Sequence, residues 1–419
     1  MRFWDRYPLF SAFRHRNFRL FYSGQVVSLS GLWMQRVAMN WLVYRITGSP
    51  FLLGTVDFVT QFPTLLFGSF TGAFLEGRNL RKVIMICQTI SMLHALTLAT
   101  LTLTGTVQYW HVLVLAAIIG TSDSFEVPAR QGFTIRLVED ERDLSNGIAL
   151  TSTLFNVTRL IGPSVAGMVI AVVGEGLCFL MNGFAYSATL TALALMRFKK
   201  PLTTQGTKKN VLESMKEGVL YAASFIPLRN YLLAMAFVSF FAFPYMVLLP
   251  VFAREVLAGG PQTLGFLMGA SGVGALAGSV RLAMRRSPVG LGKVMASSCA
   301  LLGVSMAAFS LSRSFALSLV LIALLGFFMI CTLVSSNTLV QTLVDDDKRN
   351  RVMSLFIVSA SGLTPIGSLT AGWLATVIGA PATLFGAGTI SLIIGLLLLR
   401  AWPSMWAMSE PVYRRKNLI

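Results

Sequence analysis

Charged side chains follow directly on one of the most apolar stretches of the sequence. The segment WHVLVLAAIIG, residues 110–120, carries no formal charge, and Asp123, Glu126 and Arg130 come soon after it. Their spacing of i, i+3 and i+7 places all three on one face of a helix. A carboxylate withdrawn from water can take up and release a proton near neutral pH. The alternative is an ordinary ion pair between Glu126 and Arg130, which are four residues apart.

Two further sets of ionisable residues lie inside apolar segments. Arg159 precedes Pro163 by four residues, and an arginine that stays charged there needs a carboxylate, water or an anionic ligand. Asp123 or Glu126 is the expected partner, in a static pair or in one that opens when a proton or an anion arrives. Arg36 and Asp57 are expected at similar depth, where they would gate the outer mouth or tie the first two spans together.

The composition is that of an integral membrane protein. Of the 419 residues 55% are hydrophobic and 12% charged, whereas soluble proteins carry about 25% charged residues. Twelve segments are long enough to cross a bilayer, which takes about 20 apolar residues. These predicted spans are 20–45, 50–75, 83–104, 109–130, 146–173, 176–197, 228–253, 262–284, 292–311, 314–341, 352–377 and 381–400.

The net charge of +17 reflects topology rather than nucleic-acid binding. Most of the 34 lysines and arginines fall in the connections on one side of these spans. By the positive-inside rule both termini are cytoplasmic, which predicts a multi-pass protein of the bacterial inner membrane. The four cysteines lie in apolar runs without a CxxC pair, so we expect packed core residues rather than disulfides or metal ligands. The sequence contains no nucleotide-binding or hydrolase motif, so it predicts neither an enzyme nor a cofactor.

The two halves of the sequence repeat each other. LVEDER at 137–142 matches LVDDDK at 343–348, and Gly68 and Gly72 match Gly274 and Gly278, all with an offset of 206. A repeated unit of six spans must be parallel, because an even number of crossings returns the chain to the same side. Such a repeat predicts a substrate site between the halves near the bilayer midplane. The predicted domains are a six-helix bundle at 1–197, a cytoplasmic linker with an amphipathic helix at 198–227, a second bundle at 228–401 and a cytoplasmic tail at 402–419.

Longer stretches of the chain resemble the major facilitator superfamily, in particular its siderophore exporters and macrolide efflux pumps. The resemblance rests on FRLFYSGQVVSLSGLWMQRVAMNWLVYRITGSP in the first span, VPARQ after the fourth, NVTRLIGPSVAG in the fifth and LLPVFAREVLAGGP at the end of the seventh. It implies an all-α integral membrane protein whose twelve transmembrane helices form two parallel six-helix repeats, the major facilitator fold.

Two motifs of that superfamily have counterparts in this chain. GPSVAG is similar to the GPxxGG element of proton-driven antiporters, and it supplies Gly162, Pro163 and Gly167. GAFLEGRNLRK, at 72–82, resembles the loop GxLaDRxGRRR, with glutamate in place of aspartate and Leu80 in place of an arginine. The matching loop positions are Gly72, Glu76, Arg81 and Lys82.

These observations predict a secondary transporter that works by alternating access without a cofactor or a metal. We expect a proton-coupled exporter of an amphipathic or anionic small molecule, such as a siderophore or a drug, acting as a monomer. A lipid or lysolipid flippase on the same scaffold is one alternative, and a receptor that does not transport is another. By resemblance His94 lies on a peripheral span, so we interpret it as a satisfied or lipid-shielded side chain. The predicted substrate cavity is lined by Gln35, Tyr245, Asn337 and Gln341.

Overall fold

The computed structural model describes residues 8–138, 140–198, 211–285, 287–345, 348–416 and 418–419, and these residues are almost entirely helical. A 3-10 helix, Pro8–Arg14, precedes the first long helix. The helices are α1 (Arg16–Thr47), α2 (Pro50–Leu75), α3 (Leu80–Leu103), α4 (Tyr109–Leu137), α5 (Glu141–Leu195), α6 (Val211–Ser224), α7 (Ile226–Phe241), α8 (Tyr245–Val251), α9 (Pro261–Ala283), α10 (Leu291–Leu311), α11 (Phe315–Leu343), α12 (Arg349–Ile357), α13 (Thr364–Ile378) and α14 (Ala380–Arg415). Two π-helical turns, Phe252–Val256 and Val358–Gly362, follow α8 and α12.

These helices supply the twelve predicted spans. Ten helical stretches of the described residues are long and apolar enough to cross a membrane. One of them is α5, which contains two spans joined end to end at Gly174. The helix α1 is 32 residues long, about 48 Å at the usual rise, but it carries more polar side chains than the others. With α1 and both arms of α5 the total is twelve, which confirms the all-α fold predicted from the sequence.

Corresponding glycines interrupt the helical conformation between the last two spans of each half. Gly174 has a φ of 79° within α5, and Gly379 has a φ of 85° between α13 and α14. Side chains other than glycine rarely adopt this left-handed region. The chain can therefore reverse without a loop at these two positions, which explains why glycine recurs there with an offset of 205 in the sequence.

The chain divides into two compact units. The first comprises Met1–Thr47 and Val59–Lys208, and the second comprises Gly48–Phe58 and Lys209–Ile419. The first turns of α2 thus belong to the second unit, which a division at residue 197 does not anticipate. The reason is a close backbone contact, because a Cβ at Gly54 would overlap the backbone of α13 at Ser368. The amide of Phe51 also donates to the hydroxyl of Thr376, at 3.2 Å.

Small residues set the helix packing inside each unit. In the first unit α1 packs along α5, and a Cβ at Gly162 would press on the Trp33 side chain. In the second unit α9 packs on α11, where Gly274 faces the Ala323 carbonyl and Gly326 faces that of Ser271. Helices in lipid associate through such close backbone approach, because burial of apolar surface offers little driving force there.

Candidate functional site

A buried carboxylate on α4 is the centre of a polar network in the first unit. Glu126 is 5% exposed, and its Oε1 accepts a hydrogen bond of 2.8 Å from Gln88 Nε2 on α3. Arg130 Nη1 lies 3.6 Å from the same oxygen and donates to Gln25 Oε1 on α1, at 3.4 Å. Ser28 on α1 donates to Gln88 Oε1, at 3.5 Å. We call Gln25, Ser28, Gln88, Glu126 and Arg130 the Glu126 network, which joins α1, α3 and α4.

The sequence anticipated only part of this network. The i, i+4 ion pair of Glu126 and Arg130 is present as the spacing suggested. The amide partners Gln25 and Gln88 were missed, although a glutamine inside an apolar span is itself a signal. The Gln25 Nε2 atom is buried and has no hydrogen-bond partner among the described residues. The network therefore has an unused donor directly beside Arg130.

Asp123 lies one turn before Glu126 on the same helix. The charges acting on it are those of Glu126, of Arg36 on α1 and of Arg130. Arg159 lies on the first arm of α5 and is partly buried, and its pairing with Asp123 or Glu126 stays a prediction. The guanidinium of Arg36 also lies 5.1 Å from the Trp33 ring centroid.

A second buried polar cluster in the first unit was not predicted. Gln35 Nε2 lies 2.9 Å from His94 Nδ1, and Asn182 on the second arm of α5 donates to Gln35 Oε1. His94 Nε2 and Asn182 Oδ1 are buried without a partner among the described residues. We call Gln35, His94 and Asn182 the His94 cluster, which joins α1, α3 and the second arm of α5.

Arg81 of the predicted loop motif ties two helices of the first unit together. It donates from Nη2 to the Ala194 carbonyl at 3.0 Å, which links α3 to the end of α5. The neighbouring amide of Lys82 donates to the side chain of Asn79, which caps α3. Gly72 lies in α2, and Glu76 is partly buried in the connection. A role of this loop as a charge latch stays a prediction.

The antiporter-like motif lies on the first arm of α5. Gly162, Pro163 and Gly167 are all buried, and Gly162 allows α1 to approach at Trp33. The motif thus contributes to the packing of the helix that carries Arg159. Of the proposed outer gate, Arg36 belongs to the first unit and Asp57 to the second, so their pairing stays a prediction.

The residues predicted to line a substrate cavity have separate environments. Gln35 is held in the His94 cluster, and the Tyr245 hydroxyl lies 2.6 Å from Ser271 Oγ in the interior of the second unit. The structure therefore places both side chains in helix packing. Gln341 donates to Asn337 on α11 at 2.9 Å. Within the part of the chain that the structure describes, no group of three or more His, Cys, Asp or Glu side chains could hold a metal.

An ion pair that the sequence did not suggest lies near the break in α5. Arg45 Nε at the end of α1 donates to Glu175 Oε1 at 2.8 Å, directly after Gly174. The Glu175 carboxylate is buried, whereas Arg45 is partly exposed. The pair fastens α1 to the reversal between the two arms of α5.

This fold, with its long apolar helices and buried charged groups, is that of a multi-span membrane protein. A family model described as "Transmembrane secretion effector" matches residues 8–411. The chain belongs to this family, and with it to the efflux branch of the major facilitator superfamily.

Relatives along nearly the whole chain are transporters. The chain is 23% identical to the staphyloferrin A transporter of Staphylococcus aureus, over 89% of this chain and 93% of the relative. It is 25% identical to the multidrug efflux pump Tap of Mycolicibacterium fortuitum, over 86% and 90% of the two chains. It is 21% identical to macrolide efflux protein A of Streptococcus pyogenes, over 91% and 94%.

Solved structures support the fold. The nucleoside transporter NupG matches with a TM-score of 0.71 at 12% identity, over 92% of this chain and 99% of that one. A bacterial homologue of the iron transporter ferroportin, in an inward-facing state, matches with a TM-score of 0.69 at 16% identity, over 92% and 98%. The family model and the relatives named above make the chain a secondary transporter of small molecules rather than an enzyme.

Proposed function

We propose that this transporter exports an amphipathic or anionic small molecule in exchange for protons, with Glu126 as the proton acceptor. The observation that carries the proposal is the environment of Glu126. A buried carboxylate in a membrane helix shares one oxygen between an amide donor and a guanidinium. An ionisable residue is costly inside a bilayer and usually has a function there.

The Glu126 network can satisfy the carboxyl group in both protonation states. Gln88 donates to the ionised form through its Nε2 atom. If Glu126 is protonated, a rotation of the Gln88 amide presents an acceptor to the new O–H and a donor to Ser28. Glu126 can therefore keep a hydrogen bond with Gln88 in both protonation states.

Protonation of Glu126 also changes what Arg130 binds. The ion pair with Glu126 weakens when the carboxylate is neutralised, and Gln25 Oε1 on α1 is already within reach of the same guanidinium nitrogen. The two protonation states thus favour different contacts between α4 and α1. Binding of a proton can shift a conformational equilibrium only if the two conformations differ in their affinity for it, and two alternative sets of contacts between α4 and α1 would provide that difference.

The proposed class of substrate follows from charge and from the relatives. Asp123 and Glu126 balance Arg36 and Arg130 in this region, so neutralising a carboxylate leaves an arginine available to an anion. The staphyloferrin transporter and the macrolide and multidrug efflux proteins handle, by their names, a siderophore and drugs. Both groups of compounds suit an exporter of amphipathic or anionic molecules.

The test compares Glu126→Gln with Glu175→Gln in proteoliposomes. Glu175 is the matched control, because it is also a buried glutamate paired with an arginine in the same unit but lies outside the Glu126 network. Staphyloferrin A, erythromycin and lysophosphatidylcholine serve as probes, with a pH-sensitive dye inside the vesicles. We expect the Glu126 variant to lose transport driven by a pH gradient while it retains substrate-for-substrate exchange. The control should retain both activities.

Two results would refute the proposal. One is transport driven equally well by a pH gradient in the wild type and in the Glu126 variant. The other is transport of a probe by the wild type without any movement of protons, which for lysophosphatidylcholine would favour the flippase alternative.

A further inference from the structure

We propose that a cavity in the second unit binds the anionic phosphodiester of a phospholipid with a hydroxylated head group. The cavity has a volume of about 420 Å³ and lies between the ends of α9 and α11. Volumes of about 300–1,000 Å³ are usual for small-molecule sites. Its lining residues are Ser279, Leu282, Ala283, Arg285, Ser287, Pro288, Leu291, Val334, Ser335, Thr338 and Thr342.

The cavity forms where the close packing of α9 and α11 ends. The two helices touch from Ser271, against Gly326, to Gly278, whose added Cβ would overlap Ile330 and approach Cys331. The glycines that permit this approach stop at Gly278, and both helices continue with larger side chains. The space between their ends is consequently open, and the exposed residues Ala283, Arg285 and Ser287 lie at its outer side.

Three groups in the cavity have hydrogen-bond donors to offer a ligand. Ser335 is fully buried, and its hydroxyl has no partner among the described residues. Arg285 donates from Nη2 to the Val289 carbonyl at 2.8 Å, so other N–H groups of its guanidinium remain for a ligand. Ser287 Oγ accepts from the Val289 amide at 3.1 Å, which leaves its own O–H to donate.

Three other hydroxyls offer acceptors instead. Ser279, Thr338 and Thr342 donate to backbone carbonyls of their own helices, at 2.9, 3.0 and 2.7 Å. Their lone pairs are therefore available to hydroxyl hydrogens of a ligand. A phosphodiester that carries a polyol matches both halves of the lining, because it combines phosphate oxygens with hydroxyl donors.

The charge and polarity of the lining limit the range of possible ligands further. The lining contains one arginine and no carboxylate, which suits a single negative charge. Leu282, Pro288, Leu291 and Val334 supply apolar surface next to the polar groups. Phosphatidylglycerol has this combination, whereas phosphatidylcholine is neutral overall and its head group offers no hydroxyl donor. A helix that spans the bilayer ends at the level of the lipid head groups, and the lining includes Ala283, the last residue of α9.

The experiment measures lipid retained by the full-length protein in native mass spectrometry. Purified protein is offered dioleoyl phosphatidylglycerol, dioleoyl phosphatidylcholine or the water-soluble ester glycerophosphoglycerol. Ser335→Val is paired with Ser336→Val, because Ser336 is equally buried and unpartnered but does not line the cavity. Arg285→Gln is paired with Arg313→Gln, an arginine in the connection between α10 and α11.

We expect the wild type to prefer phosphatidylglycerol, and Ser335→Val and Arg285→Gln each to bind it about tenfold more weakly, the effect of losing a hydrogen bond to a charged group. Both control variants should bind like the wild type. If Ser335→Val fails to fold, Thr338→Val replaces it, since that hydroxyl is only partly buried.

The soluble ester distinguishes two sources of the same ligand chemistry. Retention of the lipid alone assigns the site to the bilayer, and retention of both with the same dependence on Ser335 and Arg285 supports the site for either source. Equal binding of the two lipids, or equal binding by cavity and control variants, overturns the proposal. The Glu126 variants do not bear on this result, because Glu126 belongs to the first unit.

Discussion

Glu126 is stabilised by one partner from a neighbouring helix and by one from its own helix, α4. Gln88 on α3 supplies a hydrogen bond of 2.8 Å, and Arg130 supplies the opposite charge. Neither would suffice alone, because a buried carboxylate needs both neutralisation and donors for its lone pairs. The same reasoning applies to Glu175, whose single arginine partner lies at the end of α1.

The first prediction concerns the amide of Gln88. Gln88→Leu leaves the Glu126 carboxylate without its hydrogen bond, which should lower the free energy of unfolding by about 1–3 kcal/mol. In a Glu126→Gln background the same change should cost less, since no charged group then loses a partner. Thermal unfolding of the detergent-purified proteins in a double-mutant cycle measures the difference. Equal losses in both backgrounds would mean that Gln88 acts through packing alone.

At the scale of elements, glycine contacts determine which helices can pack closely. Gly274 and Gly326 bring α9 and α11 together, and Gly303 and Gly388 do the same for α10 and α14. The sequence analysis singled out only Gly274 among these glycines, and glycine pairs four residues apart, such as Gly274 and Gly278, are common in membrane helices. Only the structure shows that these glycines face backbone atoms of a neighbouring helix and so permit close packing.

The second prediction compares two glycines in helices of the second unit. A methyl group at Gly274 would overlap the Ala323 carbonyl oxygen, whereas one at Gly386 would meet nothing within 4 Å. Gly274→Ala should therefore destabilise the protein by about 1–3 kcal/mol, as overpacking usually does. Gly386→Ala should be neutral or stabilise it by up to about 1 kcal/mol, because alanine favours the helix. Thermal unfolding checks both, and an unchanged Gly274→Ala protein would contradict the contact.

The short helix α6 packs within the second unit through polar contacts. The Tyr221 hydroxyl donates to Asp345 Oδ2 at 3.0 Å, Arg415 pairs with the same carboxylate, and Glu217 pairs with Arg351 on α12. The first unit has a counterpart, since His15 Nε2 lies 3.2 Å from Asp143 Oδ2. His15 and Tyr221 are separated by the same offset of 206 as the repeat. In each unit a side chain before the first span thus contacts an aspartate, but Asp143 and Asp345 are 202 residues apart and do not occupy corresponding positions of the repeat.

The third prediction is a pH dependence of this packing. The hydrogen bond from Tyr221, and then the contact with Arg415, hold the pKa of Asp345 below its ordinary value of 3.8. A carboxyl group with a lowered pKa in the folded state stabilises the protein above the unfolded pKa, and this contribution is lost as the pH falls through the folded pKa. The melting temperature of Asp345→Asn should therefore lie below that of the wild type above about pH 5, and the difference should shrink on acidification.

Glu410→Gln is the control for the pH experiment. Glu410 forms an exposed i, i+4 pair with Arg414 in the same part of α14, and such pairs contribute little. Its melting temperature should follow that of the wild type at every pH. A difference for Asp345→Asn that does not change with pH would show that the ionised carboxylate is not what holds α6.

At the scale of the whole molecule, the two units share a fold but not a chemistry. The first unit contains buried or partly buried Glu126, Asp123, Arg130 and Glu175. The second unit contains hydroxyls at many of its buried polar positions, such as Ser271, Ser335 and Thr332. The proposed proton site therefore belongs to one repeat only, and the repeat predicts the scaffold without predicting the site.

The fourth prediction tests the orientation of the chain in the membrane. The four natural cysteines are all buried, so a single introduced cysteine can report on its own position. Thr106→Cys, in the exposed connection before α4, should react with a membrane-impermeant maleimide in intact cells. Arg142→Cys, exposed at the start of α5, should react only after permeabilisation. The reverse pattern would place the termini outside the cell and contradict the positive-inside assignment.

The sequence by itself determined the class, the number of spans and the repeat. The number and length of the hydrophobic segments determine how many times a chain crosses a bilayer. The glycines at 174 and 379 mark the same chain reversal in both halves. Both features depend only on the order of residues along the chain. It also placed Glu126 beside Arg130, because a spacing of four residues already implies contact within a helix.

Only the tertiary structure decided which side chains from different helices meet. Gln88 on α3 reaches Glu126 on α4, and His94 joins Gln35 and Asn182. Each of these contacts depends on the rotation of one helix against another, which a few glycine contacts between neighbouring helices fix. The position of a residue along its own helix does not contain that information.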